Sequence, residues 1–480
     1  MGRISGIRNL SMNIPDPRPY GPLPSPRQLA WHALEFYGFI HFTVNTFSDL
    51  EWGYGDEPPD LFAPTNFDAD QIARSAAAGG MAGLILTCKH HDGFCLWPSR
   101  YTPHSVASSL WRGGQGDAVG EIAAACRRRG IKFGVYLSPW DRNRADYGTP
   151  AYIGVYRRQL RELLENYGPV FEVWHDGANG GDGFYGGARE TRTIDKYSYY
   201  GWPETWDLVR QLQPEACIFS DAGPDVRWVG NEGGKAGETC WATINRDDFV
   251  PGEADAGRLN RGDRPGSHWV PAECDVSIRP GWFYHAAEDD QVKNARQLAE
   301  LYFASVGRGG SLLLNLPPDR RGQVHPRDAA ILAEFQCGLA DTFAQNLACA
   351  AQISAPARGD LQRYAPSNLL DGSPESYWTV DDALLTPSVT LTFPKAVRFN
   401  VVGLREYLPL GQRVEGFAVD TGQAGQWHPL AGGSSIGARR LLRTAETITD
   451  AVRLRITQAA ACPALSEFGL WQYQEDQWKI

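Results

Sequence analysis

Six short apolar runs in this 480-residue chain each stop abruptly at a polar cluster, and segments with helical spacing lie between them. Residues 36–40 lead into His41, and 81–88 lead into Lys89, His90, His91 and Asp92. Residues 131–137 run into Ser138, Pro139, Trp140 and Asp141, and 170–174 into His175, Asp176 and Gly177. Residues 216–219 end at Ser220 and Asp221, and 311–316 at a proline pair. A strand buried on both faces reads as a continuous apolar stretch, and parallel strands need a crossover between them. Helical periodicity over 69–78, 118–129, 152–167, 203–212 and 289–306 supplies such crossovers. The alternation predicts an α/β fold, a (β/α)8-like barrel whose chemistry sits in the loops after the strands.

A barrel of roughly 250 residues leaves room for a second domain. After a helical stretch over 326–344 the texture changes to short alternating runs at 388–393, 397–404, 416–419 and 451–456, which predicts a C-terminal antiparallel β-sandwich. The expected organisation is an extended N-terminal arm over 1–25, a catalytic barrel over 26–348 and the sandwich over 349–480. The arm is proline-rich and lacks the apolar core of a secretion signal. The compartment stays open: cytoplasmic as the chain stands, periplasmic or secreted if an export signal was removed.

A net charge of −10 disfavours nucleic acid and acidic membrane surfaces, which demand clustered basic side chains. No apolar run approaches the roughly 20 residues of a membrane-spanning helix. Nine scattered cysteines without a CxxC pair imply neither a zinc site nor a disulfide framework. The 16 Trp and 19 Tyr are unusual because many sit in loops beside polar or Gly-rich segments, where they either pack loops or stack on the C–H faces of sugars.

Cleaving a glycosidic bond takes two carboxyl groups facing it, one as nucleophile or base and one as proton donor. Asp176 is the best-placed acid, at a strand end and followed by Gly177; its alternative role is a helix or turn cap. Glu232 and Glu273, both expected in later loops, are candidates for its partner. His90 and His91 are adjacent, so on an extended segment their side chains diverge, unlike the spacings that converge on a metal ion. With His41 they suit hydrogen bonding to sugar hydroxyls. The glycine cluster at 306–315 lacks the phosphate-loop arrangement and reads as a tight turn.

The strings LTCKHHDGFCLWPSRYTPHSV, FEVWHDGA, GPDVRWVGNEGG and SIRPGWFYH together resemble the α-L-fucosidases of glycoside hydrolase family 29, over roughly 26–347. The DVRWVGNE and DVSIRPGWFYH loops resemble the subgroup acting on α-1,3/1,4-linked fucose of branched glycans. The resemblance implies a retaining enzyme with carboxyl groups about 5–5.5 Å apart. It implies Asp176 as nucleophile, Glu232 as acid/base, and Glu273 as the alternative or as a contact for the branched sugar. The implied fucose pocket comprises His41, Glu51, Trp52, His90, His91, Tyr136 and Trp174, with Trp174 and Trp282 as an apolar wall for the sugar's methyl group. No cofactor or metal is implied, and the implied partner is a fucosylated oligosaccharide or glycoconjugate. His175 stands where the family usually has Phe. The segment 367–382 (SNLLDGSPESYWTVDD), with VRLRIT and SEFGLWQ further on, resembles galactose-binding-like or discoidin sandwiches. Sugar binding and a buttressing role are both open for that domain.

Overall fold

The computed structural model describes residues 14–252, 255–423 and 425–474, so the first half of the expected arm, residues 1–13, lies outside the described residues. Eight parallel strands close into a barrel: β1 (Phe36–Ile40), β2 (Gly83–Lys89), β3 (Lys132–Leu137), β4 (Glu172–Trp174), β5 (Cys217–Ser220), β6 (Val226–Trp228), β7 (Ala272–Ser277) and β8 (Ser311–Asn315). Each strand pairs with its neighbours in chain order, and β8 returns to β1 with Tyr37 opposite Leu313. Helices α1 (Pro26–His32), α2 (Ala69–Ala78), α3 (Ala118–Arg129), α4 (Pro150–Asn166), α5 (Trp202–Leu212), α6 (Ala256–Arg261), α7 (Ala295–Ala304) and α8 (Pro326–Phe343) accompany the strands.

Local chemistry sets the helix ends. The carboxylates of Asp68 and Asp117 accept the first free N–H groups of α2 and α3, and Asn294 with Gln297 forms a reciprocal capping box on α7. Gly130 ends α3 in the left-handed conformation that only glycine adopts freely. The apolar stripe of α2, with Ile72, Ala73 and Ala76 fully buried, packs into the shell between helices and strands. Each fully buried large apolar side chain contributes about 1.5–3 kcal/mol there.

Two strands depart from the sequence expectation. The run of α/β units skips a helix: only residues 221–225 join β5 to β6. Glu232 therefore follows β6 and not the strand ending near Asp221, and between Asp176 and Glu232 lie α5 and the barrel strands β5 and β6, besides a short antiparallel pair, Gly180–Gly183 with Glu190–Thr193. Glu273, expected in a loop, is on β7 itself. Neither β6 nor β7 reads as an apolar run, because β7 points Glu273 and Asp275 into the barrel and β6 carries the buried Arg227.

The C-terminal domain is antiparallel, with β9 (Gln352–Ser354), β10 (Trp378–Thr379), β11 (Ser388–Glu406), β12 (Val414–Gln423), β13 (Gln426–Gly433), β14 (Arg440–Ala459) and β15 (Ala464–Trp471) around a core of its own. The runs expected at 388–393 and 397–404 are one strand, β11, whose register shifts against β14 between Thr392 and Val397; such bulges bend a strand without ending it. The arm segment 14–20 lies along this domain: Arg358 donates to the Pro15 carbonyl at 2.9 Å and the Tyr20 N–H donates to Leu410 O at 3.0 Å.

The sandwich docks on the barrel through Glu35, just before β1. Arg405 and Arg439 both pair with its carboxylate, and the Tyr302 hydroxyl donates to it at 2.9 Å. Trp471 packs edge-on against Phe343 of α8, with ring centroids 5.3 Å apart. Burial alone would raise the Glu35 pKa, but Arg439 and Arg405 outweigh it and hold the group down to about 2. A carboxylate depressed on folding stabilises above its ordinary value of 4.5, and that stabilisation is lost as pH falls towards 2. Glu35→Gln should lower stability at pH 7 by about 2–3 kcal/mol. Denaturant midpoints of variant and wild type should converge as the pH is brought down from 4.5, and an undiminished gap near pH 2 would refute the linkage.

Candidate active site

The loops after β1, β2, β4, β6 and β7 and the upper ends of the strands enclose a cavity of about 270 Å³ at the C-terminal mouth of the barrel. Its walls bring together His41, Glu51, Trp52, His90, His91, Tyr136, Trp174, Asp176, Glu232 and Trp282, ten residues singled out in the sequence. Glu273 is not among them. It is fully buried beneath the cavity floor, while Asp275, one pleat further along the same face of β7, lines it.

Asp176 leaves β4 with its carboxylate accepting from the Tyr136 hydroxyl at 3.0 Å and from the Ala178 N–H at 2.7 Å. Gly177 is required beside it, because a Cβ there would stand 2.3 Å from a carboxylate oxygen of Asp221. Asp221 accepts from the Gly252 N–H at 2.8 Å, and burial, with the nearby charge of Asp176, pushes its pKa up to about 6. Asp275 accepts from the Trp228 indole at 2.9 Å. Burial together with the charges of Glu273 and Glu232 raises its pKa well above its ordinary value. Neither Asp221 nor Asp275 was a sequence candidate for the site; the signal available for Asp221 was its place at a strand end, and for Asp275 its alternation with Glu273.

Glu232 sits at the exposed mouth, where the Trp282 indole donates to it at 3.2 Å. Trp282 is held from the other side: its own N–H and that of Phe283 donate to Glu51 at 2.8 and 3.1 Å, and its carbonyl accepts from Asn315 at 2.8 Å. His285 bridges Glu51 and Asp49 at 2.7 and 2.9 Å. Trp174 lies flat on Phe219, with ring centroids 4.0 Å apart and planes 7° from parallel. Trp52 is half exposed on the rim, edge-on to His91 and Trp140.

His90 and His91 do not diverge. The backbone leaves the extended conformation after a bulge at Cys88, and the two rings lie 4.0 Å apart, both on the cavity. The same bulge turns Lys89 outward onto Asp141 and α4. His175 points away from the cavity, towards the helical shell, where it is buried against Tyr156 and Trp202. No group of three or more His, Cys, Asp or Glu side chains among the described residues is arranged to hold a metal ion.

The hydrogen bonds assign the imidazole tautomers. Asn315 spends its amide N–H groups on Ser277 and Trp282, so its oxygen accepts from His41 Nδ1 at 2.9 Å. Ser138 donates to the Trp140 carbonyl and therefore accepts from His91 Nδ1 at 2.7 Å. Both rings keep Nε2 as an acceptor. Burial lowers their pKa to about 3 for His41 and about 4 for His91, so both are neutral at working pH. His90 is also neutral, and its buried Nδ1 has no protein partner.

Neutral imidazoles, paired acids and stacked indoles in a cavity at the mouth of a (β/α)8 barrel are the equipment of a glycoside hydrolase. Comparison with known proteins narrows the class. The family model for alpha-L-fucosidase matches residues 27–337. Alpha-L-fucosidase 1 of Arabidopsis thaliana is 43% identical, covering 98% of this chain and 91% of its own. The crystal structure of a glycoside hydrolase 29 family member from an unknown rumen bacterium is 43% identical, with a TM-score of 0.86, over 95% of this chain and 78% of that one. A Ruminococcus gnavus GH29 fucosidase solved in complex with fucose is 32% identical, with a TM-score of 0.88, over 98% and 99% of the two chains. The chain belongs to the α-L-fucosidases of glycoside hydrolase family 29, and its activity is hydrolysis of α-L-fucosides.

The tautomer assignment predicts that 15N imidazole spectra show His41 and His91 as neutral Nδ1–H rings at pH 6. Protonation should set in only near pH 4 for His91 and near pH 3 for His41. An imidazolium signal from either at pH 6 would contradict it.

Proposed function

We propose that this fucosidase is a retaining, exo-acting enzyme that removes α-1,3/1,4-linked L-fucose from branched, Lewis-type oligosaccharides or glycoconjugates. The observation that carries this reading is the placing of Asp176 and Glu232 on one cavity sized for a terminal sugar unit, Asp176 inside it and Glu232 at its open mouth. Asp176 attacks the anomeric carbon while protonated Glu232 gives its proton to the departing glycosidic oxygen. The resulting ester to Asp176 is cleaved by water, which Glu232 deprotonates, and L-fucose leaves with Asp176 restored.

His41, His90, His91 and Glu51 take the sugar hydroxyls, and Tyr136 steadies the nucleophile. Trp174 and Trp282 face the apolar side of the ring and its methyl group. The open, aromatic-rimmed mouth, with Trp52, Trp228 and Trp282, receives the rest of a branched glycan. The support for the linkage preference is the likeness of the 225–232 and 275–285 loops to the branched-linkage subgroup.

Asp176→Ala should abolish turnover, by a factor of about 10³ or more, while leaving the melting temperature within a few degrees of wild type. Glu232→Ala should remove release of L-fucose from the branched substrate. Liberated L-fucose is the readout, from a Lewis-type trisaccharide, an α-1,2-fucosylated disaccharide and an aryl fucoside side by side. Release from the branched substrate alone supports the linkage reading; equal release from all three overturns it. Wild-type-like turnover by Asp176→Ala would remove the nucleophile assignment.

A further inference from the structure

Directly beneath the sugar cavity the barrel interior holds two carboxyl side chains, Glu172 of β4 and Glu273 of β7, both fully buried. Neither lines the cavity. The Trp31 indole, rising from α1 at the opposite end of the barrel, donates to Glu172 at 2.9 Å. Glu273 accepts from the Tyr37 hydroxyl through one oxygen and from the Trp174 indole at 2.7 Å through the other. Among the described residues no lysine or arginine pairs with either acid. Two neighbouring anions buried without a cation are prohibitive in a low-dielectric interior, so the pair retains a proton. Burial and the mutual charge raise the pKa of Glu172 well above the usual range, and burial also raises that of Glu273. Glu273, which accepts from both Tyr37 and Trp174, is at the centre of the group, and Glu172 Oε1 is buried with no hydrogen-bond partner of its own.

A pair of apolar side chains would fill this space at less energetic cost than two acids. What the acids add is direction. Trp174 is the one donor of the group that also forms a wall of the cavity, and it ends β4 two positions before Asp176. Its face is set by Phe219, and the N–H edge is set by Glu273. The low dielectric of a dry interior strengthens this hydrogen bond, and it holds the indole in one orientation.

We propose that Glu273, seated against Glu172, is a positioning residue for fucoside hydrolysis that fixes the Trp174 indole in the plane the sugar packs against. The inference rests on the sugar cavity described above, and the experiment separates the two. Glu273→Gln turns an acceptor-only group into an amide that must present N–H to one of its donors. It should lower kcat/KM about tenfold, since small misplacements of contact groups carry penalties of that order. Trp174→Phe keeps the ring but removes the donor. If Glu273 acts through that donor, Glu273→Gln should cost less than about twofold further in the Trp174→Phe background. Glu172→Gln, which leaves both donors to Glu273 in place, should stay within about threefold of wild type.

Unchanged kcat/KM in Glu273→Gln, or independent multiplication of the Glu273→Gln and Trp174→Phe effects, would overturn the proposal. Should Glu273→Gln show no cooperative melting transition, Tyr37→Phe replaces it in the same cycle. Its expected loss is about threefold, vanishing in the Trp174→Phe background, and independence would again overturn the proposal. Loss of the cavity assignment itself has a different signature: Trp174→Phe and Asp176→Ala would both leave kcat/KM untouched.

Discussion

Closure of the eight-stranded ring is the constraint on which the rest of the molecule depends. Once β8 pairs back onto β1, every inward side chain must be accommodated in a space too narrow for solvent, and every strand must deliver its C-terminal end to the same mouth. The lower part of that interior is filled by Trp31, Tyr37, Phe39, Ile85, Cys217, Phe219, Val226 and Leu313. The upper part is left open as the cavity. Asp176, three imidazoles and the rim indoles, separated by tens of residues in the chain, meet there because strand ends are all that the ring brings together at that face.

The cavity differs from an exposed cleft in its electrostatics. Burial disfavours charge on the imidazoles, so His41, His90 and His91 offer a neutral sugar uncharged ring nitrogens. Asn315 and Ser138 set the direction of His41 and His91. Glu232 stays at the open mouth, exposed to water. Asp176 instead lies inside, against Tyr136 and the glycine that lets Asp221 approach.

The second domain contributes from behind. Its contacts with the barrel include Glu35, Tyr302 and α8, and also the β6–β7 connection, where Arg440 pairs with Glu238, the Ala242 N–H donates to Gln412 and Arg264 pairs with Glu415. The sandwich thus touches the strands that close the ring. Arg405 and Arg439 replace the water lost from Glu35 with two cations and hold its pKa down, whereas Glu172 and Glu273, with no lysine or arginine paired to either among the described residues, have theirs raised by burial.

The apolar runs ending in polar clusters were sufficient to read the barrel and most of its strands, because β1 to β5 and β8 are buried on both faces and their chemistry begins where the run stops. The same runs, with the motifs of the family, placed Asp176, His41, His90, His91, Tyr136 and Trp174 on the loops and strand ends that form the cavity. Strands β6 and β7 were not legible, since buried Arg227, Glu273 and Asp275 break the apolar pattern that marks an interior strand. Nor was the convergence of His90 and His91, which depends on one extra residue in the β2 ladder, or the outward turn of His175. The chain by itself determined which residue types end each strand; which of them face one another, and which acids lie in the cavity and which below it, was decided by the register of the closed ring. Register is a property of pairings between distant strands, and a shift of one residue exchanges every inward side chain for an outward one.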